Sequence, residues 1–192
     1  LLLADTPLTL AETASVFGEM LTFKSLIKNA KNQREKIYLL RSKIEDMINT
    51  VFRQISFFIF ERNIHSLRMK TELSEDDISE VWMQTQKESL GTSVNLTKDY
   101  KYFWAYIPHF IHSPFYVYAY AFGDCLVNSL YSRYEKSSHG FNNKYIEMLE
   151  AGGTQDYHKL LKRFGLNPKS SNFWQMGMNL IKNLIDDLEK IS

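Results

Sequence analysis

Apolar residues recur at helical spacing along most of the chain, and the residues that usually interrupt helices are rare. No glycine occurs from Glu19 to Leu90, and no proline separates Leu8 from Ile107. Because glycine and proline mark most turns, this pattern predicts long helices. Neither an internal repeat nor a low-complexity segment is present. The predicted fold class is therefore all-α.

The first predicted helix begins near Pro7, with Thr6 as its cap, or near Thr9, where Thr9-x-x-Glu12 has the form of a capping box. The residues whose spacing predicts its buried face are Leu10, Ala14, Phe17 and Leu21. A very long helical stretch is predicted from about 32 to 69, and near 57–60 it becomes apolar all round. Other elements are expected to cover this part of the helix on several sides.

Five further helices follow from local signals. Ser74, followed by three acidic residues, predicts a helix start, and Gly91 predicts its end. The remaining helices are predicted over 115–135, 142–150, 156–163 and 172–191. The helix between Ser74 and Gly91 is interpreted as scaffold.

Two carboxylates lie on a second stripe of the first helix, together with Val16 and Phe23. Glu12 and Glu19 are seven positions apart, which separates them by about 10 Å along the axis, so they cannot both bind one ion. If Glu12 binds a metal, Glu19 would instead orient a neighbouring histidine. The alternative interpretation is that the Thr9-x-x-Glu12 pattern is only a helix cap.

The most unusual segment is 102–120, where nine of nineteen residues are aromatic, two are histidine and none is charged. Such a segment is expected to be buried or to line a cavity. Buried tyrosine hydroxyls need partners, and five tyrosines with His109 and His112 are typical of a cleft wall. An aromatic core helix with satisfied hydroxyls is the alternative interpretation, and this segment alone does not exclude it. Because Pro108 and Pro114 disfavour helix, the backbone around His109-x-x-His112 is predicted to be broken or looped.

Charge and cysteine content exclude several classes of protein. The 23 basic and 22 acidic residues are mixed along the chain and give a net charge of +1, so nucleic acid is not an expected partner. Cys125 is the only cysteine, which excludes an internal disulfide and fits a reducing, cytoplasmic setting. The uncharged run 102–123 contains two prolines and two histidines, so no membrane association is expected.

Motifs near the start, in the middle and towards the end of the chain resemble the oligoendopeptidase F family, which consists of zinc metallopeptidases related to thimet oligopeptidase. The motifs that carry the resemblance are Ala11-Glu12-Thr13-Ala14-Ser15-x-Phe17-x-Glu19, Ile107-Pro108-His109-Phe110, Pro114-Phe115-Tyr116-Val117-Tyr118 and Ala151-Gly152-Gly153. The resemblance implies the all-α C-terminal portion of a zincin-type catalytic domain, forming one domain over 1–192. It also implies an oligopeptide substrate.

The resemblance further implies specific roles. Glu12 would supply the third ligand of one zinc ion, and Glu19 would support the zinc site. His109, Tyr116 and Tyr118 would face the substrate and stabilise the reacting carbonyl oxygen. The family's His-Glu-x-x-His motif is missing, since none of the five histidines has another four positions later.

That missing helix is expected before Leu1, in the remainder of the same peptidase, and the isolated chain is expected to be inactive. The start Leu1-Leu2-Leu3, without an initiator methionine, is likewise expected for a piece of a longer protein. The competing hypothesis is a non-catalytic helical module that binds peptides or a protein partner.

Overall fold

The computed structural model describes residue 10 and the ranges 12–136 and 139–192, and the described residues contain helices but no strand. The α-helices are α1 Thr13–Lys28, α2 Gln33–Ile48, α3 Gln54–Arg68, α4 Glu75–Leu90, α5 His109–His112, α6 Tyr118–Lys136, α7 Phe141–Ala151, α8 Tyr157–Lys162 and α9 Ser171–Glu189. A π-helical segment covers Asn49–Arg53, and 3₁₀ segments cover Gly91–Ser93 and Lys98–Tyr106. The all-α prediction is confirmed.

Contacts divide the chain into two compact units, Leu1–Ile48 with Phe122–Ser192, and Asn49–Ala121. The single domain expected over 1–192 stays a prediction. In the first unit, α1 packs on α2 and α2 packs on α9. Every residue of α6 from 122 to 130 is buried, so this helix runs through the core of that unit.

The buried face of α1 differs from the predicted one. Leu10 and Phe17 are buried as expected, but Ala14 is exposed and Leu21 is 41% exposed. Their places in the core are taken by residues that neighbour them on the helix, namely Thr13, Met20 and Phe23. The predicted buried face was displaced by one residue at two of its positions. Thr13, whose hydroxyl group made it look like a surface residue, occupies the core position that the pattern assigned to Ala14. The predicted helix start at Thr6, Pro7 or Thr9 lies outside the described residues.

A glycine in α9 permits the close approach of α6. A Cβ added at Gly177 would lie 3.3 Å from the Cα and the carbonyl oxygen of Cys125. We expect Gly177→Ala to lower the free energy of unfolding by about 1–3 kcal/mol, because backbone atoms must move apart. Gly18 in α1 has no atom within 4 Å of an added Cβ.

Gly18→Ala is therefore the matched control, and the gain in helix propensity should raise the free energy of unfolding by about 0.5–1 kcal/mol. Urea unfolding of both variants measures the difference. Equal stabilisation by the two substitutions would show that α6 and α9 can separate without cost.

The second unit has its core at Phe57, Phe60, Trp82 and Val117. The long stretch predicted from 32 to 69 is helical from Gln33 to Arg68, with the π-helical segment inside it, and its apolar end is covered as expected. Ser74 caps α4 through a capping box with Asp77, and Gly91 ends this helix with φ 65°. The signals read for α4 are thus confirmed.

No helix within the described ranges is both long enough and apolar enough to cross a bilayer.

Candidate active site

The aromatic segment of the second unit is broken, as predicted. The 3₁₀ segment Lys98–Tyr106 ends before Pro108, which precedes the single helical turn α5, and α6 begins only at Tyr118. Between them, Phe115 adopts φ 60°, a left-handed conformation that residues other than glycine seldom take. His109 and His112 therefore stand at the two ends of one isolated turn.

Much of this segment is exposed, which corrects the expectation of burial or enclosure. Tyr102, Phe103 and Ile111 are 45%, 48% and 70% exposed, and Tyr106 is 80% exposed. Only part of the segment lines a cavity, of about 220 Å³, to which Trp104 and Phe110 contribute. Within this chain, the segment thus forms an exposed aromatic surface beside a small apolar cavity.

His109 belongs to a cluster of rings. Its Nε2 lies 3.2 Å from the hydroxyl oxygen of Tyr120, and which of the two atoms donates depends on the imidazole tautomer. The His109 ring is stacked at 6.2 Å from the ring of Tyr116, which meets Tyr120 edge to face at 5.2 Å. Tyr116 and Tyr120 therefore lie on the same side of the chain, and both of their rings contact His109.

Tyr118 lies against a different neighbour. Its ring packs edge to face on Phe58 of α3, with the centroids 5.8 Å apart. The residue is half-buried, and within the described ranges its hydroxyl has no hydrogen-bond partner. The structure therefore brings His109 together with Tyr116 and Tyr120, and presents Tyr118 separately as an available donor. The contact between Tyr120 and His109 was not predicted, although the spacing of four between Tyr116 and Tyr120 was a usable signal.

Glu12 lies in the first unit, at the residue that precedes α1. It is half-buried, and its side chain makes no cap hydrogen bond. A Cβ added at Gly123 would lie 3.0 Å from the Glu12 Cβ, so this glycine of α6 leaves the room that Glu12 occupies. Among the described residues, the Glu12 carboxylate has neither a hydrogen bond nor an ion pair. It is thus available as a ligand.

Glu19 has an ion-pair partner that the sequence did not reveal. Its Oε2 lies 3.9 Å from Nζ of Lys43, whose side chain is only 9% exposed, and Asp46 approaches the same Nζ at 3.5 Å. The Glu19 side chain itself is 60% exposed. A pair of this length at the surface adds little stability, so Glu19 keeps freedom to contact another group.

Asp124 is a buried carboxyl group in the same unit. It is 2% exposed, and one of its oxygens accepts a 2.8 Å hydrogen bond from Nδ2 of Asn128. Burial raises the pKa of Asp124 to about 6, against the opposing effects of the Lys43 charge and the Asn128 bond. Sequence reasoning passed over this residue. Its signal was an acid four positions before an asparagine in an otherwise apolar stretch.

This raised pKa has a consequence for stability. Between pH 4 and 6 the folded chain binds a proton that the unfolded chain has lost, so stability falls as the pH rises through this window. Asp124→Asn cannot titrate. At each pH, the free energy of unfolding of the unsubstituted chain is subtracted from that of Asp124→Asn. We expect this difference to rise by up to about 3 kcal/mol from pH 4 to pH 7, because only the unsubstituted chain loses stability over this range. Urea unfolding at each pH measures this, and parallel pH profiles would contradict it.

The described residues can supply only part of a zinc site. They contain no group of three or more His, Cys, Asp or Glu side chains able to hold one ion. A catalytic zinc site uses three protein ligands and leaves one position open. The carboxylate of Glu12, which is half-buried and has no partner among the described residues, has the chemistry of one oxygen ligand for such a site.

Comparisons with known proteins find oligopeptidases. Oligoendopeptidase F homolog of Lactococcus lactis subsp. lactis is 29% identical over 188 residues, covering 97% of this chain and 31% of that protein. Oligopeptidase PepF of Bacillus subtilis is 29% identical over 182 residues, covering 94% of the chain and 27% of that protein. The chain thus spans about a third of the length of these curated relatives.

The solved structure of oligoendopeptidase-F from Enterococcus faecium has the same fold. It superposes with a TM-score of 0.86 at 24% identity, covering 95% of this chain and 35% of that one. A family profile described as Peptidase family M3 matches residues 2–180. With nearly the whole sequence inside that match, the chain belongs to Peptidase family M3.

Proposed function

We propose that the chain is part of a zinc-dependent metalloendopeptidase that hydrolyses peptide bonds in oligopeptides. The observation that carries this proposal is the family match over residues 2–180, which includes the three motifs that hold the candidate site residues. The relatives are described as oligopeptidases and oligoendopeptidases, and peptide substrates are what such proteins act on.

Glu12 is the proposed zinc ligand from this chain. Its availability among the described residues supports this, and so does the small residue at Gly123 that gives it room. The other two protein ligands would come from a His-Glu-x-x-His helix in the remainder of the same peptidase. One bound zinc ion would polarise the peptide carbonyl and lower the pKa of water. Glu19, which Lys43 holds only weakly, would orient a ligand histidine.

Tyr118 and His109 are the proposed substrate-side donors. An oxyanion is stabilised by neutral donors that are already in place before the reaction. The Tyr118 ring is held by Phe58, while its hydroxyl is not engaged within the described ranges. His109 is oriented by Tyr120 and by stacking on Tyr116, which is assigned a supporting contact with the substrate.

The proposed setting is a reducing cytoplasm, which fits a chain whose single cysteine excludes an internal disulfide.

Cys125 is buried and unreactive. It is 1% exposed, and burial, with a further contribution from Asp124, raises the pKa of its thiol to about 12. A buried thiol of this kind is chemically inert and acts as a small apolar residue. Cys125 is therefore given no part in catalysis.

The decisive experiment uses the full-length peptidase and an internally quenched oligopeptide. We expect hydrolysis that stops when a chelator removes zinc and returns when zinc is restored. The 192-residue chain alone should bind zinc weakly and cleave nothing, because one carboxylate does not make a site. Hydrolysis that persists without metal would contradict the zinc assignment, and chelator-sensitive cleavage by the isolated chain would contradict the division of ligands.

The exposed aromatic surface favours one alternative, a non-catalytic module that binds peptides. Tyr102, Phe103 and Tyr106 offer large ring faces to solvent, which suits the binding of an extended peptide. The same experiment separates the two functions. Saturable binding of the quenched peptide without any cleavage, in the presence of zinc, would select the binding module.

A further inference from the structure

The turn that precedes α6 is held by a buried carboxyl group. The backbone N–H of Phe115 donates a 2.8 Å hydrogen bond to Oε1 of Glu61. Glu61 is 2% exposed and lies on α3, fifty-four positions earlier in the chain. Since Phe115 has φ 60°, this bond meets the turn at its one strained residue.

Two neighbours of Glu61 on α3 contact the same turn. The ring of His65 lies 4.8 Å from the ring of Phe115, and Phe58 packs edge to face on both Phe115 and Tyr118, at 6.4 Å and 5.8 Å. Positions 58, 61 and 65 share one face of a helix. One side of α3 thus contacts the turn at Phe115 through the hydrogen bond of Glu61 and through the rings of Phe58 and His65.

The second oxygen of Glu61 is unusual. Within the described part of the chain, Oε2 is buried and has no hydrogen-bond partner. A buried polar atom without a partner is costly, so a merely structural position would more often be filled by an apolar residue. An apolar side chain in this place would leave the Phe115 N–H without its acceptor, so the task of this carboxyl group is assigned to the oxygen that accepts that hydrogen bond.

We propose that Glu61 is a positioning residue for peptide hydrolysis, an inference that rests on the proposed function. By accepting the Phe115 N–H, it fixes the left-handed turn from which Tyr116 and Tyr118 extend. A left-handed residue other than glycine is unfavourable by itself and persists only when its surroundings hold it. Without the acceptor, the turn relaxes and the two tyrosines lose their directions.

The test compares three substitutions in the full-length peptidase. Glu61→Met keeps the volume and removes the acceptor, so we expect kcat to fall at least tenfold with KM changed by less than about threefold. Glu61→Gln keeps an acceptor oxygen and should restore kcat to within about threefold of the unsubstituted enzyme. Glu80→Met, at an exposed position of α4, is the matched control and should leave kcat unchanged.

Hydrogen exchange at the Phe115 amide supplies a readout that does not depend on turnover. Protection should be lost in Glu61→Met and kept in Glu61→Gln. If the methionine variant does not fold, Glu61→Asp withdraws the oxygen by one methylene and should show the same two losses. An active enzyme whose kcat or amide protection is unaffected by loss of the acceptor overturns this inference alone. An unsubstituted enzyme without peptidase activity overturns the proposed function, and this inference with it.

Discussion

Replacing Glu12 with glutamine in the full-length peptidase is expected to abolish stoichiometric zinc binding and to lower kcat/KM for oligopeptides about a thousandfold or more. A neutral amide is a poor ligand for zinc, and the metal supplies several kcal/mol of transition-state stabilisation, each 1.36 kcal/mol being worth a factor of about ten. The structure makes the substitution mild in other respects. Glu12 is half-buried, and its side chain makes no cap hydrogen bond that the change would break.

Zinc content by atomic emission and kcat/KM on a quenched peptide are the two measurements. Glu19→Gln is the matched control, with the same chemical change about two helical turns away. Because Glu19 is proposed to support a ligand and not to bind the metal, Glu19→Gln should lower activity or zinc affinity only about 10- to 100-fold. Full zinc occupancy in Glu12→Gln, together with near-normal turnover, would remove Glu12 from the metal site.

Removing the hydroxyl of Tyr118 should have the second largest effect. Tyr118→Phe in the full-length peptidase is expected to lower kcat by about 10²-fold, as for loss of one oxyanion donor. KM should change little, because the donor acts mainly in the transition state. The ring contact with Phe58 survives the change, so the packing of α3 against Tyr118 is preserved.

Tyr106→Phe provides the control for this experiment. Tyr106 lies in the same aromatic segment, but it is 80% exposed, and its hydroxyl should contribute little to turnover. Steady-state kinetics of the two variants on one peptide give the comparison. An unchanged kcat in Tyr118→Phe, with a loss in Tyr120→Phe, would transfer the donor role to the partner of His109.

The candidate site could be predicted only in part. Motif resemblance selected Glu12, Glu19, His109, Tyr116 and Tyr118, and their roles remain proposals. It did not single out Glu61, since a glutamate within a helical stretch looks like any solvated residue until its burial is known. Lys43 and Asp124 were not predicted to be special for the same reason. Charged residues in helices are usually exposed, whereas these two are buried.

Local physics explains which parts of the fold the sequence by itself determined. The helical class, the capped start of α4 at Ser74 and its end at Gly91 depend on interactions between residues a few positions apart. The break around Pro108 and Pro114 is local in the same way, since proline restricts its own φ and the residue before it. Such features can be read without knowing what packs on them.

Only the tertiary structure decided which side of each element is buried and which side chains meet. Thr13 replaces Ala14 in the core of α1, and the exposed rings of Tyr102 and Tyr106 lie on a segment whose composition predicted enclosure. The grip of Glu61 on Phe115 joins residues fifty-four positions apart. Burial and long-range hydrogen bonds depend on neighbours brought close by folding, which a local pattern does not contain.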